Sequence, residues 1–182
     1  GIEKRDILVE RVDEARDAQQ QAKQQFEDAL EQFIALTDFQ GGELEDQYRE
    51  LKSEYEASLA QADRVRERIG DVERVARDLF AEWEDELSEY SDAELRRASQ
   101  RQLNQTRSRY AVLIDKMRRA ERKIPPVLEA FQDRVLFLKH NLNARAIASL
   151  RDNRAAIESD IAALVADMNK SIAEADRCIE SM

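Results

Sequence analysis

The fold is decided by the stretch Leu79-Phe80-Ala81-Glu82-Trp83-Glu84-Asp85-Glu86-Leu87-Ser88-Glu89-Tyr90-Ser91-Asp92-Ala93-Glu94-Leu95. Up to Tyr90 the apolar residues recur every three or four positions, which is typical of one buried helix face. Ser91 and Glu94 then match a capping box, and Tyr90 and Leu95 match the hydrophobic staple around it. The stretch therefore predicts that one helix ends at Tyr90 and that the next begins at Asp92.

The same spacing extends on both sides of this turn. Upstream it predicts helix two over residues 43–90 and helix one over residues 3–40. The buried face of helix one is predicted to contain Leu8, Val12, Ala15, Ala22, Phe26, Ala29, Phe33 and Leu36, interrupted by Gln19. Gly41 and Gly42 follow, and a glycine readily takes the left-handed conformation that closes a helix C-terminus.

Downstream of the turn, helix three is predicted over residues 92–142 and helix four over residues 144–181. A kink is expected at Pro125-Pro126, because each proline removes a backbone donor and crowds the preceding turn. Asn143 is a suitable N-cap for helix four. The alternative is a single helix from Pro125 to the C-terminus, with a short third helix before it.

Composition agrees with an all-α fold. Four Gly and two Pro among 182 residues cannot supply the turns of a sheet protein, and 37% of the residues are charged. A hydrophobic fraction of 42% at regular spacing argues against disorder. We expect a single helical domain over residues 1–182, an elongated antiparallel four-helix bundle or coiled coil with up-down-up-down topology. Helices two and three exceed the other two by about three turns, so their hairpin should protrude.

Six apolar side chains fall in that protruding portion. A two-helix hairpin cannot cover them all, and exposed apolar patches usually mark an interface. The alternative is a self-contained aromatic cluster that stabilises the end of the hairpin. The candidate partner-binding residues are Phe80, Trp83, Leu87, Tyr90, Leu95 and Leu103. Their partner is expected to be another protein, a second copy of the chain, or a segment that precedes Gly1.

Charge is distributed unevenly along the chain. Residues 1–90 carry 12 basic and 26 acidic side chains, whereas residues 91–182 carry 17 and 13. Ten Arg and Lys lie between Arg96 and Lys123, a cluster that would suit nucleic acid. The competing interpretation is an intramolecular one, because the hairpin should bring Arg96 and Arg97 opposite Asp85 and Glu86, and Arg101 near Glu82. This second interpretation is favoured, since the chain has a net charge of −10.

No enzyme signature is present in the sequence. The only histidine is His140, and the position three residues before it is Phe137, so the paired Glu-x-x-His motifs of di-iron bundles are missing. Gly41-Gly42 is followed by Glu43, which rules out a phosphate-binding loop there. We therefore expect no catalytic residues, no metal and no cofactor. Cys178 is the only cysteine, which excludes an internal disulfide.

The longest apolar run, Ile161 to Ala166, is six residues long. A helix that crosses a bilayer needs about 20, so no spanning segment is predicted. The chain begins at Gly1 without Met, which suggests processing or trimming of a longer precursor.

Four segments resemble one bacterial family: GIEKRDILV (1–9), GGELE (41–45), WEDEL (83–87) and VLFLKHNLNA (135–144). It is the family catalogued as domain of unknown function 2959, and the resemblance covers nearly the whole chain. Its members resemble small Gram-negative cell-envelope proteins whose precursors often carry an export or lipoprotein signal. The resemblance implies a periplasm-facing lipoprotein with its lipid anchor upstream of Gly1, and it implies no activity or catalytic residue.

These observations favour a non-enzymatic helical interaction or scaffold protein of the bacterial cell envelope. If an anchor precedes Gly1, the hairpin end faces the membrane, and its acidity argues against contact with anionic lipid. A protein partner is then preferred to membrane insertion. The alternative is a nucleic-acid-associated coiled-coil accessory protein that uses the basic stretch 96–123.

Overall fold

The computed structural model describes residues 2–39 and 41–182, with side chains from Glu3 onward in the first helix. Within this part the chain is helical and contains no strand. The helices are α1 (Ile2–Thr37), α2 (Leu44–Leu87), α3 (Ala93–Arg122), α4 (Ile124–His140), α5 (Ala144–Asp152) and α6 (Arg154–Ser181). The all-α class is confirmed. The expected end of helix one at Gln40 lies outside the described residues.

The turn between α1 and α2 contains two glycines in the left-handed region. Gly41 has φ 83° and Gly42 has φ 100°. A Cβ on Gly42 would also meet the Phe39 ring at 3.2 Å. The left-handed glycine predicted for this turn is therefore confirmed, at both positions.

Contacts at both ends of α1 and α2 show that these helices run antiparallel. Near the glycine turn, Gln32 donates a hydrogen bond to the side chain of Gln47 at 3.0 Å. At the opposite end, Lys4 and Glu82 form an ion pair at 2.7 Å. The start of α1 thus lies level with Glu82 on α2.

The turn between α2 and α3 is capped one residue later than the sequence predicts. Asp92, not Ser91, is the N-cap of α3. Its carboxylate accepts from the backbone N–H of Glu94 at 2.9 Å and from that of Leu95 at 3.2 Å. Asp and Ser are about equally favourable as N-caps. The sequence pattern therefore could not distinguish Ser91 from Asp92 as the N-cap of α3.

The expected kink at the prolines takes the form of a break of one residue at Lys123, between α3 and α4. Pro125 lies at the start of α4, where its missing N–H needs no partner in the helix. Ile124 and Val127 are 2% and 1% exposed, so the buried face continues through the break.

The chain ends α4 at His140 and begins α5 at Ala144. Asn143 caps α5, accepting from the backbone N–H of Ala146 at 2.9 Å. The cap predicted at Asn143 is therefore confirmed. The alternative of one uninterrupted helix from Pro125 onward is wrong, because α4 stops and α5 is capped anew.

A further break at Asn153, which the sequence did not suggest, separates α5 from α6. It lies beside the C-terminus of α1, a helix with no basic residue in its last turn. Arg151 donates to the Thr37 carbonyl at 2.8 Å, and Arg154 pairs with Asp38 at 2.8 Å. Two arginines from the far end of the chain thus supply the positive charge that a helix C-terminus favours.

The core runs along most of α1, whereas the buried residues of α2 begin at Leu51 and those of α3 at Leu103. The predicted face of α1 is buried throughout, from Leu8 at 1% exposure to Leu36 at 0%. Phe33 of α1 and Phe131 of α4 meet edge to face, with ring centroids 6.4 Å apart. The interrupting Gln19 is also fully buried, and it accepts a hydrogen bond at 2.7 Å from the hydroxyl of Ser171 on α6.

Candidate interaction site at the end of α2 and α3

Four of the six residues predicted to form an exposed binding surface are buried within the chain. The exposed fractions are 8% for Phe80, 9% for Trp83, 8% for Leu87 and 0% for Leu103. The expectation that the first and last helices leave these side chains uncovered is wrong.

The first helix covers Trp83 because it starts further along α2 than the helix lengths suggested. The guanidinium of Arg5 lies over the Trp83 ring, 5.2 Å from its centroid. Ser181, at the end of α6, lines a cavity together with Trp83. The protruding part of the hairpin is thus shorter than the three turns expected, and it begins just beyond Trp83.

The buried aromatic residues form a cluster that joins α2 to α3. The indole N–H of Trp83 donates to the hydroxyl of Ser99 at 2.8 Å. Phe80 and Tyr110 pack with ring centroids 5.6 Å apart, and the guanidinium of Arg107 lies 5.6 Å from the Phe80 ring. Burial raises the pKa of Tyr110. For these residues the structure favours the alternative interpretation, a self-contained cluster that stabilises the hairpin.

The other two predicted residues remain exposed. Tyr90 is 40% exposed and Leu95 is 57% exposed. They flank the turn between α2 and α3, at the outermost part of the hairpin. We refer to residues 84–101, which comprise the end of α2, the turn and the start of α3, as the tip.

The tip carries charges of opposite sign on its two helices. The α2 side has acidic residues and the α3 side has basic residues, and none of the following six forms an ion pair with a described residue: Asp85, Glu86, Glu89, Arg96, Arg97 and Arg101. The intramolecular pairs expected across the hairpin are therefore not formed. Glu82, expected near Arg101, pairs with Lys4 instead, and the hydrogen bond from Lys4 lowers the pKa of Glu82.

The acidic residues also occupy an unfavourable place on their own helix. The last turn of α2 contains Glu84, Asp85 and Glu86 and no basic residue. A helix C-terminus carries a partial negative charge, which repels carboxylates there. Among the described residues, Glu84 is the one member of this trio that forms an ion pair, with Arg107 at 3.0 Å. An unfavourable charge arrangement that neighbouring side chains do not neutralise is characteristic of a functional site.

The remainder of the basic stretch is largely engaged within the chain. Lys116 pairs with Glu174 at 3.2 Å, and Lys123 pairs with Asp167 at 2.8 Å, both on α6. Arg118 pairs with Glu73 and Glu121, and Arg119 pairs with Asp115 at 3.2 Å. With Arg107, five of the ten predicted cations form ion pairs with other described residues.

Beside the tip, a cavity of about 240 Å³ opens where α1, α2, α3 and α6 converge. Its wall includes Arg5 of α1, Trp83 of α2 and Arg109 of α3, with Ser181 at the end of α6. We refer to this cavity as the Arg5–Arg109 groove. Sequence reasoning missed it, because its residues come from helices whose axial alignment depends on tertiary contacts.

The remaining candidate groups form no evident reactive site. His140 is exposed at the end of α4. Cys178 is buried with its sulfur 3.5 Å from that of Met182, and burial raises the pKa of its thiol. Among the described residues, no group of three or more His, Cys, Asp or Glu side chains is placed to hold a metal ion.

None of the described helices combines the length and the hydropathy that a bilayer-spanning helix requires.

Comparison with known proteins identifies one family. The family model described as "Protein of unknown function (DUF2959)" matches residues 1–182, the whole chain. This match confirms the resemblance inferred from the four sequence segments. Neither a curated protein nor a solved structure matches the chain.

Proposed function

The chain belongs to the DUF2959 family, whose function is unknown, and we propose that it is a non-enzymatic helical scaffold protein of the bacterial cell envelope. In this proposal two copies associate through their tips. The observation that carries it is the pair of unsatisfied, oppositely charged helix faces beside the exposed Tyr90 and Leu95.

The scaffold in this proposal is an antiparallel bundle of four rods with up-down-up-down topology. The rods are α1, α2, α3 continued by α4, and α5 continued by α6. Contacts between α1 and α2, between α2 and both α3 and α4, and between α6 and α1, α3 and α4 support this arrangement. Arg16 of α1 pairs with Asp176 near the end of α6 at 2.7 Å, and Asp38 just after α1 pairs with Arg154 at the start of α6 at 2.8 Å. The two contacts together support antiparallel packing of α1 and α6.

Charge complementarity supports a second copy as the occupant of the tip. In a two-fold symmetric pair, the acidic α2 side of one tip faces the basic α3 side of the other, and the reverse contact follows by symmetry. This pairing places arginines beside the carboxylates at the end of α2, where the helix dipole leaves them least stable. Tyr90 and Leu95 of both copies would meet between the charged faces.

Such a contact is expected to be weak and sensitive to salt. Two exposed apolar residues per copy bury less area than a standard interface of about 1,200–2,000 Å². Exposed ion pairs contribute less than about 1 kcal/mol each and are screened by salt. We expect a dissociation constant on the order of 100 μM.

The envelope location in this proposal rests on the family resemblance. A lipid anchor before Gly1 would leave α1 starting near the membrane, with the tip at the same end of the bundle. Contact between copies anchored in the same membrane benefits from a raised local concentration, which suits a weak interface.

Nucleic-acid binding is the less favoured alternative. Lys116, Arg118 and Lys123 are paired with carboxylates on neighbouring helices, so they would have to break ion pairs to contact phosphates. The acidic residues on the α2 side of the tip would repel a phosphate backbone.

Sedimentation equilibrium of the chain at low salt tests the proposal. We expect concentration-dependent association in the wild type, and a monomer for the double variant Tyr90→Ser/Leu95→Ser. A matched control is Val112→Ser/Leu136→Ser, which removes two side chains of similar exposure, 47% and 56%, outside the tip. This control should associate like the wild type. A wild type that stays monomeric at millimolar concentration, or equal association in all three proteins, would refute the proposal.

A further inference from the structure

We propose that the Arg5–Arg109 groove is a binding site for a small anion that presents a phosphate or carboxylate group. The inference concerns a different surface from the tip contact. Neither Tyr90 nor Leu95 lines the groove, so the binding site does not depend on self-association.

The first argument is that neither arginine of the groove has an ion-pair or hydrogen-bond partner among the described residues. Neither Arg5 nor Arg109 forms an ion pair or a hydrogen bond with any described residue. Both face the same cavity, and no carboxylate side chain is among the described residues that line it. In a chain with ten more acidic than basic residues, two unpaired arginines in one cavity form a local positive site in an otherwise acidic protein.

The second argument is the chemistry of the other lining groups. Gln102 and Gln105 bring side-chain amides from α3, and Thr106 and Ser181 bring hydroxyls. Each of these groups can donate a hydrogen bond to an anionic oxygen. The guanidinium fork matches the geometry of carboxylate and phosphate oxygens, and such charge-assisted bonds are stronger than neutral ones.

The volume limits the size of the ligand. A cavity of about 240 Å³ is smaller than the roughly 300–1,000 Å³ of sites for drug-sized molecules. The groove therefore fits an anionic group with a few attached atoms.

The carboxylates next to the groove limit where an anion can bind within it. A second cavity of about 180 Å³ adjoins the groove and shares Arg5 and Trp83 with it, but this cavity is also lined by Glu86. Arg5 is held over the Trp83 ring by a cation–π contact. On the other side, Arg109 also lines a cavity with Glu174. The anion is therefore expected between the guanidinium groups of Arg5 and Arg109, away from both carboxylates and with Trp83 as one wall.

Trp83 is the only tryptophan in the chain and lines both the groove and the adjoining cavity, so tryptophan fluorescence reports on this region of the protein. Inorganic phosphate and, separately, succinate are titrated into the chain at constant ionic strength, with chloride as the balancing anion. We expect a saturable change in Trp83 emission with one or both probes. The probe that saturates first identifies whether phosphate or carboxylate is the preferred group.

Arg109→Gln should weaken the binding at least tenfold, and Arg109→Lys should weaken it less because the charge is retained. Arg96→Gln is the matched control. It removes the same charge from another exposed, unpaired arginine and should change the affinity less than twofold. Circular dichroism establishes that each variant is folded. A linear response to both probes, or equal affinity in Arg109→Gln and the wild type, would overturn the proposal.

Discussion

The guanidinium of Arg5 lies 5.2 Å from the centroid of the Trp83 ring, while the indole N–H of the same ring donates to Ser99 at 2.8 Å. Trp83 therefore connects the start of α1 to both helices of the hairpin. Together with the ion pair between Lys4 and Glu82, this side chain helps to hold the start of α1 level with the end of α2.

Replacing Ser99 with Ala should lower the free energy of unfolding by about 1–2 kcal/mol, because the largely buried indole N–H loses its acceptor. Trp83→Phe should cost at least as much, since it loses the hydrogen bond and part of the contact with Arg5. Urea unfolding followed by circular dichroism measures both. The control Ser53→Ala, at an exposed position on α2, should change stability by less than about 0.5 kcal/mol. Equal effects of the two serine substitutions would contradict this role of Ser99.

Capping at the start of α3 offers a test between two adjacent residues. Asp92→Ala should destabilise the chain by about 1 kcal/mol, because two backbone N–H groups lose their acceptor. Ser91→Ala should be nearly neutral. Thermal unfolding measures the stability of both variants. A larger loss of stability in Ser91→Ala than in Asp92→Ala would show that Ser91 is the N-cap, as the sequence predicts.

The buried pair of Gln19 and Ser171 is expected to set the alignment of α1 with α6 at some cost in stability. Ser171→Ala alone should destabilise by about 1–3 kcal/mol, since the buried Gln19 carbonyl oxygen loses its donor and the Gln19 Nε2 already lacks a partner among the described residues. The double variant Gln19→Met/Ser171→Ala should recover this loss, because no polar group is then left unpaired. A double-mutant cycle from urea unfolding measures the coupling. Additive losses would show that the two side chains do not act as a pair.

The ion pairs of Glu174 predict a dependence of stability on pH. Arg177 and Lys116 donate hydrogen bonds to this carboxylate at 2.6 and 3.2 Å, and they lower its pKa in the folded state. Since the folded pKa lies below the unfolded value, the contribution is present above about pH 5 and is lost as pH falls through the folded pKa.

When the pH is lowered from about 6 to about 3, the free energy of unfolding of Glu174→Gln should therefore decrease less than that of the wild type. Urea midpoints at a series of pH values measure the difference. Glu56→Gln is the control, since Glu56 is exposed and forms no ion pair with a described residue. If both variants follow the pH profile of the wild type, the ion pairs of Glu174 contribute nothing to stability.

Local patterns in the sequence were sufficient to predict the helical class, the glycine turn and the cap at Asn143. In α2 the apolar residues Tyr55 and Ala62 are seven positions apart with Ser58 between them, and Ser58 is fully buried and donates to the Glu54 carbonyl. A serine that bonds to its own helix is compatible with a core, so the periodicity persists through it.

Axial alignment of the helices could not be predicted in the same way. Helix lengths suggested that Trp83 stands beyond the first helix, whereas the ion pair between Lys4 and Glu82 places α1 level with it. If one helix shifts along its neighbour by one turn, the buried face of each helix keeps the same periodic pattern. The axial alignment of two helices therefore depends on specific contacts between residues that are distant in sequence. The break at Asn153 was missed because a single asparagine inside a periodic segment is a weak signal.

The charged faces of the tip provide the most direct test of the proposed self-association. Two charge-reversal variants are needed, one that makes the α3 side of the tip acidic and one that gives the α2 side three lysines in place of carboxylates. The first is Arg96→Glu/Arg97→Glu/Arg101→Glu, and the second is Asp85→Lys/Glu86→Lys/Glu89→Lys. Each variant alone should be monomeric, because like charges then face each other across the contact.

Sedimentation velocity of the two variants, alone and mixed in equal amounts at low salt, is the decisive measurement. We predict a heterodimer in the mixture only, which dissociates as salt is added. A mixture that sediments as two monomers, or a variant that associates with itself as strongly as the wild type, would contradict the proposed pairing of tips.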